Sequence, residues 1–203
     1  MYFPNTNSNK IVQTNLDGTI HNASWASINS PYSCSIYNDS LYVSDFRGGN
    51  IYTIVINEDG TAGDTSVFAT GFSYPVNCIS ANVSGTDYLF VMNVNNYISK
   101  LSLTSDKTND NRTWFNCGSD SYGLAVYNGF LYVGNNGGNR VIQINLIDPT
   151  IYNMNWATIT QGVNWPVYLT IFHGYLYVCN NSGNGYVNKI SLTNPNTDYV
   201  SNF

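Results

Sequence analysis

Charge is what this sequence has least of. Only 9% of its 203 residues are charged, with seven Lys plus Arg and, beside 11 Asp, a single glutamate, Glu58. The basic residues are scattered, so no surface able to track phosphates is expected and nucleic acid drops out as a partner class. No stretch approaches the roughly 18 apolar residues of a membrane span. Met1-Tyr2-Phe3-Pro4-Asn5 also lacks the basic start and apolar run of a signal peptide, so an intracellular or virion setting is expected. Helical periodicity is missing, because Gly, Asn or Pro interrupts every apolar run. So are G-x-S-x-G, H-E-x-x-H, a P-loop, G-x-G-x-x-G and C-x-x-C. His21, read as a loop residue, and His173, read in a turn, are the two histidines and offer no catalytic pair.

What is present is apolar, aromatic and neutral polar. Hydrophobic residues make up 43% and aromatics 15%, with 17 Gly, 17 Tyr, 32 Asn and 37 Ser plus Thr. That composition fits a strand-rich fold whose surface is made polar by amides and hydroxyls, and the length fits one domain. Cys34, Cys78, Cys117 and Cys179 are even in number. Cys34 and Cys78 fall at one position of successive repeats, farther apart than the roughly 7 Å a disulfide spans, so all four are read as packed thiols.

The repeat is anchored by a Leu-aromatic-Val step at Leu41-Tyr42-Val43, Leu89-Phe90-Val91, Leu131-Tyr132-Val133 and Leu176-Tyr177-Val178, spaced by 48, 42 and 45 residues. A period near 45 suits a blade of four short strands. Before the anchor come Pro31, Pro75, Ser121 or Pro166 and an apolar inner strand A. The anchor is strand B, ended by Asp45, Asn93, Asn135 or Asn180. A Gly/Asn loop leads into strand C, and an aromatic follows on strand D: Trp25, Phe68, Trp114 or Trp156.

This Pro, strand, turn, aromatic-Val strand, Asp/Asn, Gly-Asn pattern resembles the NHL repeat and the related SMP-30-like β-propellers. The resemblance implies an all-β β-propeller of four complete four-stranded blades (29–71, 72–117, 118–160, 161–203) and a partial fifth blade built from the N-terminal strands (1–28), all within one domain, 1–203. It leaves activity open, since propellers of this pattern include protein- and RNA-binding modules, SMP-30-type lactonases and lyases.

In a propeller the D-to-A and B-to-C connections share a face. The D-to-A loops carry Tyr32, Tyr74, Tyr122 and Trp165 beside Asn77, Asp120 and Asn164, and aromatic faces flanked by amides suit sugar rings or flat protein epitopes. These seven are the candidate ligand-binding residues, with packing between blades as the alternative for the rings. The B-to-C loops read as tight turns or as a ring of amides around the channel mouth. Asp45, Asn93, Asn135 and Asn180, with Asn5, are candidates for a channel metal, as SMP-30-like lactonases hold one. A single carboxylate is a poor donor set for a hard cation, so these residues are read as turn caps that bond backbone N–H groups. Glu58 falls in a C-to-D turn, away from the channel.

The function expected is therefore a non-catalytic binding or assembly module for a protein or glycan, with no cofactor. The alternative is a lactonase or lyase with a degenerate metal site. The Asn-rich texture is similar to NHL-like proteins of large DNA viruses, which implies a structural virion component. The chain aligns from strand B at its start, with Phe203 at the strand-D position of the last blade, so neither end supplies the inner strand of the first blade. That predicts an unpaired strand-B edge, and that the chain is either a piece of a longer propeller or a subunit whose ring is completed by self-association or another chain.

Overall fold

A computed structural model describes residues 1–104, 107–108, 110–183 and 185–201. Five antiparallel meanders form the blades of an all-β β-propeller. The first holds β1 (Tyr2–Asn5), β2 (Lys10–Thr14) and β3 (Ile20–Ser27). The second holds β4 (Pro31–Tyr37), β5 (Ser40–Asp45), β6 (Asn50–Ile56) and β7 (Ala62–Thr70). The third holds β8 (Pro75–Val83), β9 (Thr86–Asn93), β10 (Tyr97–Ser102) and β11 (Asn111–Asn116). The fourth holds β12 (Ser121–Tyr127), β13 (Phe130–Asn135), β14 (Arg140–Asn145) and β15 (Tyr152–Ala157). The fifth holds β16 (Pro166–Phe172), β17 (Tyr175–Asn180), β18 (Tyr186–Ser191) and β19 (Tyr199–Val200). The Phe203 expectation lies outside the described residues. His21, expected in a loop, lies exposed on β3, where the bulged pairing with β2 extends the strand through it.

Period-two alternation gives the sheets apolar faces that pack between successive blades along the chain. The aromatics of the first three anchors, Tyr42, Phe90 and Tyr132, point forward. Tyr42 and Ile51 meet Cys78, Leu89, Val91 and Leu101 of the next blade, while Phe90, Met92 and Ile98 meet Leu124, Leu131, Val133 and Ile142. Tyr132 and Val141 likewise meet Leu169, Leu176, Val178 and Ile190. Within a blade, each anchor ring lies across the outer-strand ring: Tyr42 on Phe68 at 5.2 Å, Phe90 on Trp114 at 5.0 Å and Tyr132 on Trp156 at 4.9 Å. Tyr2 packs on Trp25 at 4.5 Å, so β1 stands where a strand B stands. These outer aromatics close the blade from within; Trp25 and Trp156 are buried.

All four cysteines are free thiols. Burial pushes the Cys34 and Cys117 thiols up to about 12 and raises Cys78 as well, so they stay protonated at neutral pH. Among the basic residues, Lys100, Lys107, Arg112 and Lys189 lie over aromatic rings, each about 4 Å from the ring centre, which spreads them over the blades.

Candidate functional site

The strands enter the channel through strained turns. Ser30, Tyr74 and Trp165, each immediately before a proline, hold left-handed backbone with φ of 41°, 49° and 53°. A bulky residue is unusual there, and the one before proline favours extended backbone instead. Hydrogen bonds from the preceding blade fix the turn: Trp165 N–H donates to Asn139 Oδ1 at 2.9 Å, and Ser30 N–H donates to Asn9 Oδ1 at 2.9 Å. The geometry turns the rings of Tyr74 and Trp165 outward, 52% and 51% exposed.

Below these turns opens a pocket of about 480 Å³ at the channel mouth. Tyr32, Tyr122, Trp165 and Tyr168 supply its rings, and Asn77, Asn136 and Asn181 supply its amides. Among the described residues, no charged side chain lines it. Burial, then the nearby Asp120 carboxylate, raises the Tyr122 phenol; burial likewise raises Tyr168, so both hydroxyls remain donors at neutral pH. Ser33 Oγ donates to Asn77 Oδ1 at 3.1 Å.

Of the seven candidates from the sequence, Tyr32, Asn77, Tyr122 and Trp165 come together here. Tyr74 stands beside the pocket through Phe46, which stacks on Tyr32 at 5.2 Å and lies tilted against Tyr74 at 5.3 Å. Asp120 and Asn164 are not on the wall: Asp120 C=O accepts from Gly137 N–H, and Asn164 N–H donates to Asn180 Oδ1 at 2.8 Å. Sequence reasoning missed Phe46 and Tyr168, and reached Asn136 and Asn181 only through the reading of the B-to-C loops as a ring of amides. A signal existed for the amides, because each directly follows a strand-B end residue, and alternation turns the next side chain to the opposite side.

The end residues themselves face the blade interior. Asp45, 2% exposed, accepts from Gly48 N–H at 2.8 Å. Gly48 and Gly138 are glycine because a Cβ there would collide with the side chains of Asp45 and Asn135. The expected N–H cap therefore holds at Asp45, but the asparagines mostly work the other way. Asn93 donates its amide to the carbonyls of Val91 and Tyr97, Asn135 to that of Ser119, and Asn180 to those of Val178 and Tyr186. An amide can donate where a carboxylate cannot, so Asn satisfies loop carbonyls that Asp would repel. Among the described residues, no three His, Cys, Asp or Glu side chains are grouped to hold a metal ion.

No protein-family model matches the chain. No curated protein matches it either. Its fold is that of known β-propellers. The nidogen/laminin complex structure is 20% identical over 98% of this chain and 74% of that one, with a TM-score of 0.75. A streptogramin B lyase structure is 17% identical over 98% of this chain and 64% of that one, TM-score 0.66. AztD of Citrobacter koseri is 14% identical over 98% of this chain and 55% of that one, TM-score 0.53. The chain thus spans about three quarters of the first of these and less than two thirds of the other two.

Proposed function

We propose that this chain is a non-catalytic binding module of NHL-like blades whose channel mouth receives an uncharged, hydrogen-bonding ligand with a flat face: a neutral glycan or a polar protein segment. One observation carries the reading. Half-exposed rings and free amides from successive blades converge on one uncharged pocket, and two of the rings at its rim sit on backbone that costs energy to maintain. The absence of lining charge turns away phosphate, sulfate and carboxylate ligands, whose desolvation nothing there would offset. The nidogen/laminin likeness supports the protein side of the proposal through fold alone.

A glycan array probed with the purified chain, together with a pull-down from the native source, should give ligands that Trp165→Ala and Asn77→Ala lose while their melting curves stay near that of the parent. Ligands indifferent to both substitutions would remove the mouth from the account. A stoichiometric divalent ion found in the channel by metal analysis would favour hydrolytic chemistry instead.

A further inference from the structure

The fold engages six of the seven Lys and Arg side chains. Lys100, Lys107, Arg112 and Lys189 lie over rings, Lys10 Nζ donates to Ser27 Oγ at 2.7 Å, and Arg140 Nε donates to Asn135 Oδ1 at 2.9 Å. Arg47 is the exception. It is exposed, and among the described residues it has no hydrogen bond, ion pair or ring partner. Two residues past the ends of β1, β5, β9, β13 and β17 stand Asn7, Arg47, Asn95, Gly137 and Ser182, so one connection alone carries a charge at that place. Asp45, two residues earlier, is buried with its carboxylate accepting the Gly48 N–H, and it forms no ion pair with the guanidinium.

Arg47 opens onto a pocket of about 210 Å³ between the first and second blades. Thr6, Asn7 and Asn9 of the β1–β2 connection and Asn29 and Ser30 of the β3–β4 connection complete its wall. It shares no lining residue with the mouth pocket or with the space inside β1. Its donors lack acceptors. Ser30, 5% exposed, spends its N–H on Asn9 Oδ1 and its C=O on the Phe46 N–H, while its hydroxyl has no partner among the described residues. The position before the inner-strand proline carries a ring at Tyr74 and Trp165, and here it carries this short hydroxyl. With its oxygen taken by Ser30, Asn9 keeps its amide hydrogens, and the Asn7 and Asn29 side chains are likewise unpaired among the described residues. A nearly buried hydroxyl without a partner costs free energy that an incoming acceptor removes.

The charge selects the acceptor. One guanidinium stands among neutral groups, and no acidic side chain lines the pocket among the described residues. A carboxylate carries the single charge that balances it and meets the planar guanidinium through two parallel hydrogen bonds, whereas a phosphate dianion would bring an uncompensated charge to a chain of net charge −5. We propose that this pocket is a carboxylate-binding subsite: Arg47 holds the two carboxylate oxygens, and the Ser30 hydroxyl and Asn9 amide donate to them. It is separate from the mouth and does not depend on the reading of the mouth. The carboxylate belongs either to a small organic acid or to an acidic sugar.

NMR titrations of the full chain at fixed ionic strength test this. Glucuronate should bind saturably and at least tenfold more tightly than glucose, which has a hydroxymethyl group in place of the carboxylate. Arg47→Gln should lose that preference, and Ser30→Ala should weaken glucuronate binding about threefold or more. Both variants should melt like the parent, because neither side chain has a partner in the fold. Trp165→Ala, in the mouth, should leave the preference unchanged. Acetate binding as tightly as glucuronate would assign the subsite to small organic acids, and weaker acetate binding would assign it to acidic sugars. Equal binding of glucuronate and glucose, or a preference that survives Arg47→Gln, would overturn the subsite. A preference lost in Trp165→Ala but kept in Arg47→Gln would overturn it too, and would also contradict an uncharged ligand at the mouth.

Discussion

Trp156 and Trp165 are nine residues apart and serve different ends: one the blade interior, the other the channel mouth. Trp156, 7% exposed, lies across Tyr132 inside a blade, on the bulged stretch of β15; Trp165, 51% exposed, stands at the channel mouth on left-handed backbone. The same division runs through the other rings. Phe90 and Tyr132 are closed off by the next blade, whereas Tyr32, Tyr74 and Tyr168 are 44%, 52% and 55% exposed. Aromatics at strand positions account for the fold, and those at the inner-strand entrances are spare of it. Spare aromatic surface, gathered on one face, is what a binding site needs.

The largest expected effect belongs to the blade interior. Phe90 is fully buried between Trp114 and the next blade, so Phe90→Ala should cost about 3–5 kcal/mol in chemical denaturation. Tyr168→Ala, at the channel mouth, should cost under about 1 kcal/mol, the range of exposed positions. If the two costs were equal, interior and mouth would not differ in the way described.

Gly123→Ala tests how tightly the inner strands pack. Its Cβ would meet the backbone of Leu169 and Tyr168, which cannot swing aside as a side chain can, so a loss of about 1–3 kcal/mol is expected. A neutral melt would mean that the inner strands can spread.

Asp45→Ala should cost about 1–2 kcal/mol, as loss of a cap to Gly48 does. Asp45→Asn separates capping from charge: its carbonyl oxygen can still accept the Gly48 N–H, so most of the stability should return. A variant as unstable as Asp45→Ala would mean that the carboxylate matters beyond the turn.

The smallest effect sits in the C-to-D turns on the opposite face. Asp17, Asp59 and Asp148 accept bonds from Thr19, Thr61 and Thr150, and these bonds hold the carboxyls below their ordinary range. A lowered folded-state pKa stabilises above the unfolded value near 3.8 and is lost as pH falls through the folded one. The Asp59→Asn variant should therefore differ from the parent near neutral pH and converge with it in acid. A difference that persisted in acid would contradict the assignment. The carboxyls are solvent-exposed, so the difference is expected to be slight.

The blade repeat was legible because Leu-aromatic-Val, its proline and its terminal Asp or Asn recur with nearly constant spacing. That the outer-strand aromatics clamp the anchor rings was not, since pairing across two strands depends on bulges such as those between β14 and β15. Four of the seven proposed site residues were found because loop aromatics next to prolines stand out. Asp120 and Asn164 were included by adjacency alone, and their backbone groups are spent within the turns. Tyr168 was overlooked although its signal was present: it is the one bulky residue at a position otherwise held by Ser33, Asn77 and Gly123. The direction of the asparagine bonds was not legible either, because Asn can donate or accept and sequence does not say which.

The most direct test substitutes glycine at Trp165. Glycine takes positive φ without strain, which offsets the contacts the ring makes, so Trp165→Gly should leave stability within about 1 kcal/mol of the parent. In the same protein, binding of the ligand selected on the parent chain should fall at least tenfold. A Trp165→Gly protein destabilised by about 3–5 kcal/mol, or one that melts like the parent and still binds fully, would contradict the claim that the rings at the mouth serve a ligand rather than the fold.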